Sequence, residues 1–178
     1  MKAIIAAVDA NWGIGKDKKI PWYYPEDFAW FKEHTKGAVV IMGYNTYAEI
    51  AEKFNYPETG KLLPGRISYI ISSRDIPCSP SVKTGYTSLE DAIGAAEEKY
   101  PDRNIFLIGG SQIFEEGLDY ADKVYLTKIN KSYDCNSFFP QEKLYDKFVR
   151  TSSVQSNDNE LSFCIFKKSE IIGWNLKV

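Results

Sequence analysis

The chain has one histidine, His34, and three cysteines, Cys78, Cys135 and Cys164, with none of the close spacing that metal or dithiol sites use. Zinc and iron centres draw on clustered His and Cys, so neither is expected here. An odd number of scattered cysteines fits reduced thiols in a cytoplasmic setting. His34 itself reads as a polar residue near a helix C-terminus. Basic residues are not in excess either. Lys and Arg number 22 against 24 Asp and Glu, a net charge of −2, which argues against nucleic acid or a membrane surface as partner. No apolar run approaches the roughly 20 residues of a membrane span. The opening segment, residues 1–8, is too short for a secretory leader and reads as a strand. Repeats, low-complexity tracts and interdomain linkers are all absent. Thr127 and the serines stand at no recognisable spacing from a histidine base, so acyl and phosphoryl transfer have no obvious machinery. Redox chemistry supplied by an organic cofactor is what these absences leave open.

What is present suits one full-sized core. The 178 residues are 44% hydrophobic and 26% charged, ordinary values for a globular domain. Residues 3–8 form a continuous apolar run, the mark of a strand covered on both faces. A Gly- and Lys-rich loop fills 9–20, and a helix is predicted over 25–35 with Pro25 at its first position. A second buried strand covers 38–42, followed by a short helix over 46–53 capped by Asn45 or Thr46. Residues 54–63 read as an excursion before the turn Pro64-Gly65, 66–72 as a third strand and 75–81 as loop. Further along come a helix from Ser88 to about Lys99, a strand at 104–108 and a helix over 111–118. A strand at 123–129 and a closing antiparallel pair, 148–154 with 161–167, complete the pattern. Strands alternating with helices predict an α/β fold with a mainly parallel sheet.

Asp27 is the most informative residue. It lies in Pro25-Glu26-Asp27-Phe28-Ala29-Trp30-Phe31-Lys32, where Asp27 and Phe31 share a helix face, with Tyr24 before it and Phe28 and Trp30 beside it. A carboxylate among that much aromatic surface needs a partner, and a cationic or proton-donating ligand can supply one. The competing reading is an exposed acid that complements the helix dipole.

Three strand ends could hold phosphate. Ile108-Gly109-Gly110-Ser111 leaves room for close backbone approach, and Met42-Gly43-Tyr44-Asn45-Thr46 repeats the strand–Gly–helix arrangement. Ser72-Ser73-Arg74 offers two hydroxyls and a fork donor suited to a phosphate monoester. Each alone is a weak signal that a cap or a solvated turn would also explain. Together, at the C-terminal ends of sheet strands, they suggest a dinucleotide with an extra phosphate, NADPH rather than NADH.

These motifs, with Ile4-Ile5-Ala6-Ala7, Gly13-Ile14-Gly15, Pro21-Trp22, Val40-Ile41-Met42-Gly43, Leu63-Pro64-Gly65-Arg66 and Tyr125-Leu126-Thr127, resemble dihydrofolate reductase over about residues 1–168. The resemblance implies a dihydrofolate-reductase-like α/β fold: a central, mostly parallel eight-stranded sheet with an antiparallel C-terminal edge, flanked by four helices. It implies one catalytic domain over 1–168, with 169–178 as an extension. It implies reduction of 7,8-dihydrofolate to tetrahydrofolate with NADPH in a cytoplasmic monomer, supporting one-carbon metabolism and thymidylate synthesis, with antifolates as inhibitors.

By the same resemblance Asp27 binds the pterin and assists its protonation, bridged to Thr127, while Trp22 holds an ordered water. Ile5, Phe28, Phe31, Lys32, Ile50, Arg66 and Ile108 complete the substrate contacts, Arg66 clamping the glutamate α-carboxylate. Ala7, Ile14, Gly15 and Ile20 face the nicotinamide. Gly43, Tyr44, Asn45, Thr46, Ser72, Ser73 and Arg74, with Gly109, Gly110, Ser111, Gln112, Ile113 and Phe114, form the rest of the cofactor wall, and the Gly109–Gly110 bond is expected to be cis. Departures from the family pattern stand at Tyr44 and Gln112, where relatives often carry cations, at Phe114, where a tyrosine is common, and at Asn136, where an aspartate latches the mobile loop in some members. Two other readings stay open: a reductase of the same fold acting on a pyrimidine, and a catalytically idle binding protein. The Pro-Trp…Asp pattern speaks against the first.

Overall fold

A computed structural model describes residues 1–170. Its centre is an eight-stranded sheet in the order β5-β4-β3-β6-β1-β7-β10-β9. The strands are β1 (Lys2–Val8), β3 (Val39–Gly43), β4 (Ile67–Ile71), β5 (Val82–Tyr86), β6 (Ile105–Leu107), β7 (Lys123–Ile129), β9 (Phe148–Gln155) and β10 (Leu161–Lys168). Pairings from β5 through to β7 are parallel, and β10 joins antiparallel to both β7 and β9. The parallel strands are covered on both faces, which is why they read as unbroken apolar runs. Alternate residues enter opposite layers: Ile4, Val8, Val39 and Ile41 pack on one side of the sheet, and Ala3, Ile5, Val40 and Met42 on the other.

Five helices flank the sheet rather than the expected four: α1 (Pro25–Thr35), α2 (Tyr44–Phe54), α3 (Leu89–Lys99), α4 (Ser111–Gly117) and α5 (Gln141–Lys147). The fifth is a two-turn segment ahead of β9, anchored by fully buried Leu144. So short a helix carries too little periodicity to announce itself. α1 begins at Pro25 as predicted, and Ser88 caps α3 through the Asp91 amide. Neither Asn45 nor Thr46 caps α2. The residue before it is Gly43, with no side-chain cap, so the helix starts two residues earlier than expected.

Strand β5 was not anticipated; Gly85, at φ +87°, interrupts its pattern. Part of the 9–20 loop forms a three-residue strand, β2 (Gly13–Gly15), paired with β8 (Ser137–Phe138). The 54–63 excursion packs closely, with Tyr56 and Leu62 buried and Tyr56 edge-on to Tyr47. His34 stands in the last turn of α1, as expected, but is half-buried rather than open to solvent. Its ring lies 4.2 Å from that of Trp30 and 4.5 Å from that of Tyr125, and burial lowers its pKa. Of the extension set apart at 169–178, residues 171–178 lie outside the described residues.

Candidate active site

At the C-terminal ends of β1, β3 and β6 a cleft of about 650 Å³ opens between α1, α2 and the β2 segment. Ligands bind at this end of open α/β sheets. Ile5, Ala6 and Ala7 of β1 form its floor, Asp27, Phe28, Trp30 and Phe31 of α1 one wall, and Thr46, Glu49 and Ile50 of α2 the other. Ile14, Gly15 and Ile20 line it from the β2 segment, and Ile108, Gly109, Gly110, Ser111 and Phe114 from the end of β6 and the start of α4.

Asp27 sits half-buried in this cleft, and no cation among the described residues pairs with it. Burial pushes its pKa up to about 6, against the pull of the neighbouring Thr127 hydroxyl, which favours the charged form. Thr127 lies on β7, on the same face as Tyr125 and turned toward α1. Its hydroxyl is buried and makes no well-formed hydrogen bond. It lies close enough to Asp27 to favour the charged carboxylate. Trp22, also buried, lines the cleft nearby, backed by the Tyr133 ring at 5.3 Å. The Trp30 indole N–H is another buried donor without a partner. Tyr24 takes no part in the cleft wall: its hydroxyl bonds the Tyr133 hydroxyl and Glu160 Oε1.

Arg66 is buried, and no acid pairs with it among the described residues. Its Nε donates to Thr35 Oγ1 at 2.7 Å, Nη1 to the Pro64 carbonyl at 2.6 Å and Nη2 to the Lys32 carbonyl at 3.0 Å. This scaffold fixes the guanidinium against the Phe31 ring and leaves further N–H groups for an anion. Lys32 and Lys53 stand on the walls of the same cleft, Lys53 with its ammonium 4.1 Å from the Phe28 ring centre.

At the opposite end, the Gly43 N–H donates to the Gly109 carbonyl at 2.8 Å, joining the ends of β3 and β6. The Gly109–Gly110 bond is cis, as the resemblance implied. Asn45 and Thr46, in the first turn of α2, face the cleft, and no side chain caps that helix end. Not all expected cofactor residues reach this wall. Gly43, Tyr44, Ser72, Ser73, Arg74, Gln112 and Ile113 do not line the cleft. Ile113 is core, and Gln112 bonds Glu116 along its own helix. Tyr44, Ser72 and Arg74 form a separate cluster: the Arg74 guanidinium lies 4.1 Å above the Tyr44 ring, and its backbone N–H donates to Ser72 Oγ. Glu49 and Lys53 were missed as cleft residues. Their spacing from Thr46 and Ile50 is that of one helix face, the signal that could have found them.

The family model described as dihydrofolate reductase matches residues 1–169. The chain belongs to the dihydrofolate reductase family. It is 38% identical over 160 residues to the dihydrofolate reductase of Buchnera aphidicola subsp. Acyrthosiphon pisum, covering 90% of this chain and 91% of that one. To the Haemophilus influenzae enzyme it is 35% identical over 140 residues, 78% of each. Dihydrofolate reductase from Enterococcus faecalis, solved in complex with NADP(H) and RAB-propyl, superposes with a TM-score of 0.78 at 26% identity, over 96% of this chain and 97% of that one. The activity is the family's, reduction of 7,8-dihydrofolate to 5,6,7,8-tetrahydrofolate with NADPH, and a pyrimidine reductase or an idle scaffold is set aside. The residues present fit that cofactor. Uncapped α2 amides suit a pyrophosphate, and the bare backbone of Gly109 and Gly110 allows a flat ring to approach.

Proposed function

We propose that Asp27 is the group that grips dihydrofolate, accepting a pair of hydrogen bonds from the pterin N3 and 2-amino groups, with Thr127 completing the contact. The observation that carries this reading is the pair itself: a desolvated carboxylate on the cleft wall and, beside it but buried outside that wall, an unpartnered hydroxyl. A ligand presenting two adjacent donors satisfies the carboxylate, and the Thr127 hydroxyl can then donate to the same carboxylate. The elevated pKa keeps a proton available near neutrality, so Asp27 assists protonation of the pterin at N5, with Trp22 orienting an ordered water beside it.

The remaining walls divide by chemistry. Ile5 and Ile108 border the pterin, Phe28, Phe31 and Ile50 enclose the benzoyl ring, and Arg66 holds the glutamate α-carboxylate with Lys32 further out. NADPH supplies the hydride when bound. Ala7, Ile14, Gly15 and Ile20 would press its nicotinamide toward the pterin and exclude water, since hydride transfer needs two flat rings near contact. Asn45, Thr46, Gly109, Gly110, Ser111 and Phe114 would hold its phosphates and ribose, with Gly43, Gln112 and Ile113 supporting that wall from behind, and Tyr44, Ser72, Ser73 and Arg74 its extra phosphate. Residues 1–168 act as one catalytic domain, and we infer a cytoplasmic monomer inhibited by antifolates. The three free thiols and the bacterial relatives support the location.

Following the loss of nicotinamide absorbance with dihydrofolate and NADPH tests the assignment in wild type and Asp27→Asn. Each lost charge-assisted hydrogen bond costs about 1.5–3 kcal/mol, so turnover at neutral pH collapses in the variant while the fold persists. Equal turnover in the two proteins removes Asp27 from the mechanism.

A further inference from the structure

Among the described residues Asp9 is the only acidic side chain that is buried, at 1% exposure. No cation pairs with it there. Its carboxylate is surrounded by backbone donors instead. Oδ1 accepts from the Asn11 amide at 2.9 Å and the Gly13 amide at 2.8 Å, and Oδ2 accepts from the Tyr133 amide at 2.9 Å. Burial alone would raise the Asp9 pKa. The three amides and the Cys135 thiol outweigh it, and the group is held below its ordinary value, charged. A buried charge maintained by amides from two separate segments fixes the distance between those segments.

Those segments matter to the cleft. Asn11 and Gly13 lead into β2, whose Ile14 and Gly15 line the cleft wall. Tyr133 leads into the strap that carries Cys135, Asn136 and β8. Its ring backs Trp22, and its hydroxyl meets that of Tyr24. Packing at the junction leaves no slack: a Cβ on Gly13 would fall 2.3 Å from Cys135 Cβ and 3.0 Å from Asp9 Oδ1. The Asn136 amide then donates to the Gly15 carbonyl at 3.0 Å, and its side chain exchanges two hydrogen bonds with Asp17.

We propose that Asp9 is a positioning residue for hydride transfer: one carboxylate sets the β2 segment over the nicotinamide end of the cleft and, through Tyr133, sets the plane of Trp22. The inference rests on the reading that the substrate and cofactor rings meet between these two features. Asp9 touches neither ring. It acts by locking the segments that do, and an ångström of slack between reacting groups is enough to matter.

Asp9→Asn keeps the shape but turns an amide donor toward one of the backbone N–H groups. In the ligand-free variant, hydrogen exchange at the Gly13 and Tyr133 amides accelerates by roughly tenfold or more, while exchange in β1 and β7 stays at the wild-type rate. Dihydrofolate binds the variant without cofactor within about twofold of wild type, because Asp27, Phe31 and Arg66 keep their own supports. Single-turnover hydride transfer slows by about ten- to a hundredfold, and the deuterium isotope effect on kcat rises. A folded variant with a wild-type hydride-transfer rate overturns the proposal, as does a loss of rate matched by an equal loss of dihydrofolate affinity. Should Asp9→Asn not fold, Asp9→Ser, whose hydroxyl can still accept from the adjacent turn, is held to the same outcomes. A wild-type protein with no hydride transfer at all refutes the reading of the cleft, whereas an active wild type with an unaffected variant refutes only the role of Asp9.

Discussion

The buried Thr127 hydroxyl neighbours the Asp27 carboxylate and favours its charged form, yet burial outweighs that pull, so the cleft holds an acid that is costly to ionise. That arrangement trades stability for binding. The Asp27 pKa is about 6 in the fold against 3.8 for an ordinary aspartate, so the folded state is penalised whenever the group is ionised. Below about pH 3.8 both states are neutral there and the penalty is nil; it grows between 3.8 and 6 and is complete above 6. A gap of that size corresponds to at most about 3 kcal/mol. Calorimetry of ligand-free protein should therefore show Asp27→Asn melting several degrees above wild type at pH 8, with the difference vanishing near pH 3.5. A difference that does not change with pH would mean that the carboxylate is not desolvated.

Arg66 presents the converse case, a buried cation with no acid, held by two carbonyls and the Thr35 hydroxyl. If the α-carboxylate of the substrate is its partner, Arg66→Gln raises the KM for dihydrofolate by roughly ten- to a hundredfold, the worth of one charge-assisted contact. A dihydropterin lacking the glutamate should be reduced equally well by both proteins. Equal losses on the two substrates would assign Arg66 to the scaffold alone.

Much of this was legible in the residues, and the reasons differ by element. Helix α1 was readable because Pro25 fixes its first turn, and the parallel strands because burial on both faces leaves unbroken apolar runs. Asp27 stood out because its aromatic neighbours share its helix. What escaped was set by long-range contact. β5 carries a glycine and only one buried side chain, and β2 becomes a strand only by meeting β8 far along the chain. The Asp9 knot joins residues 124 positions apart through backbone amides, which no side-chain pattern announces. The place of His34 near the end of α1 was readable, but not its cover, because the Tyr125 ring against it comes from a distant strand.

Gly109 has φ +123°, a conformation that L side chains rarely adopt, and a Cβ there would lie 3.2 Å from Phe114 Cζ and 3.3 Å from Thr46 Oγ1. Gly109→Ala should therefore cost about 1–3 kcal/mol of stability and weaken NADPH binding, because relief of the contact moves Phe114 and Thr46, both on the cleft wall. Thermal melting together with NADPH titration checks this. An alanine variant with wild-type melting and affinity would show that the turn has room to spare.

The Arg74 guanidinium rests on the Tyr44 ring, 4.1 Å from its centre. A stacked guanidinium is pre-aimed yet still exposed, and its contact with the ring is worth only about 0.5–1 kcal/mol. Arg74 itself should matter more than its platform, since an arginine–phosphate contact contributes about 1.5–3 kcal/mol. Arg74→Gln is then expected to weaken NADPH by roughly tenfold or more and leave NADH unchanged, while Tyr44→Ala shifts NADPH in the same direction by about two- to fivefold. Titrating both cofactors into the two variants by fluorescence reads the outcome. If NADH weakens in step with NADPH, the cluster serves the shared part of the dinucleotide, and selectivity for the extra phosphate lies with Ser72 and Ser73.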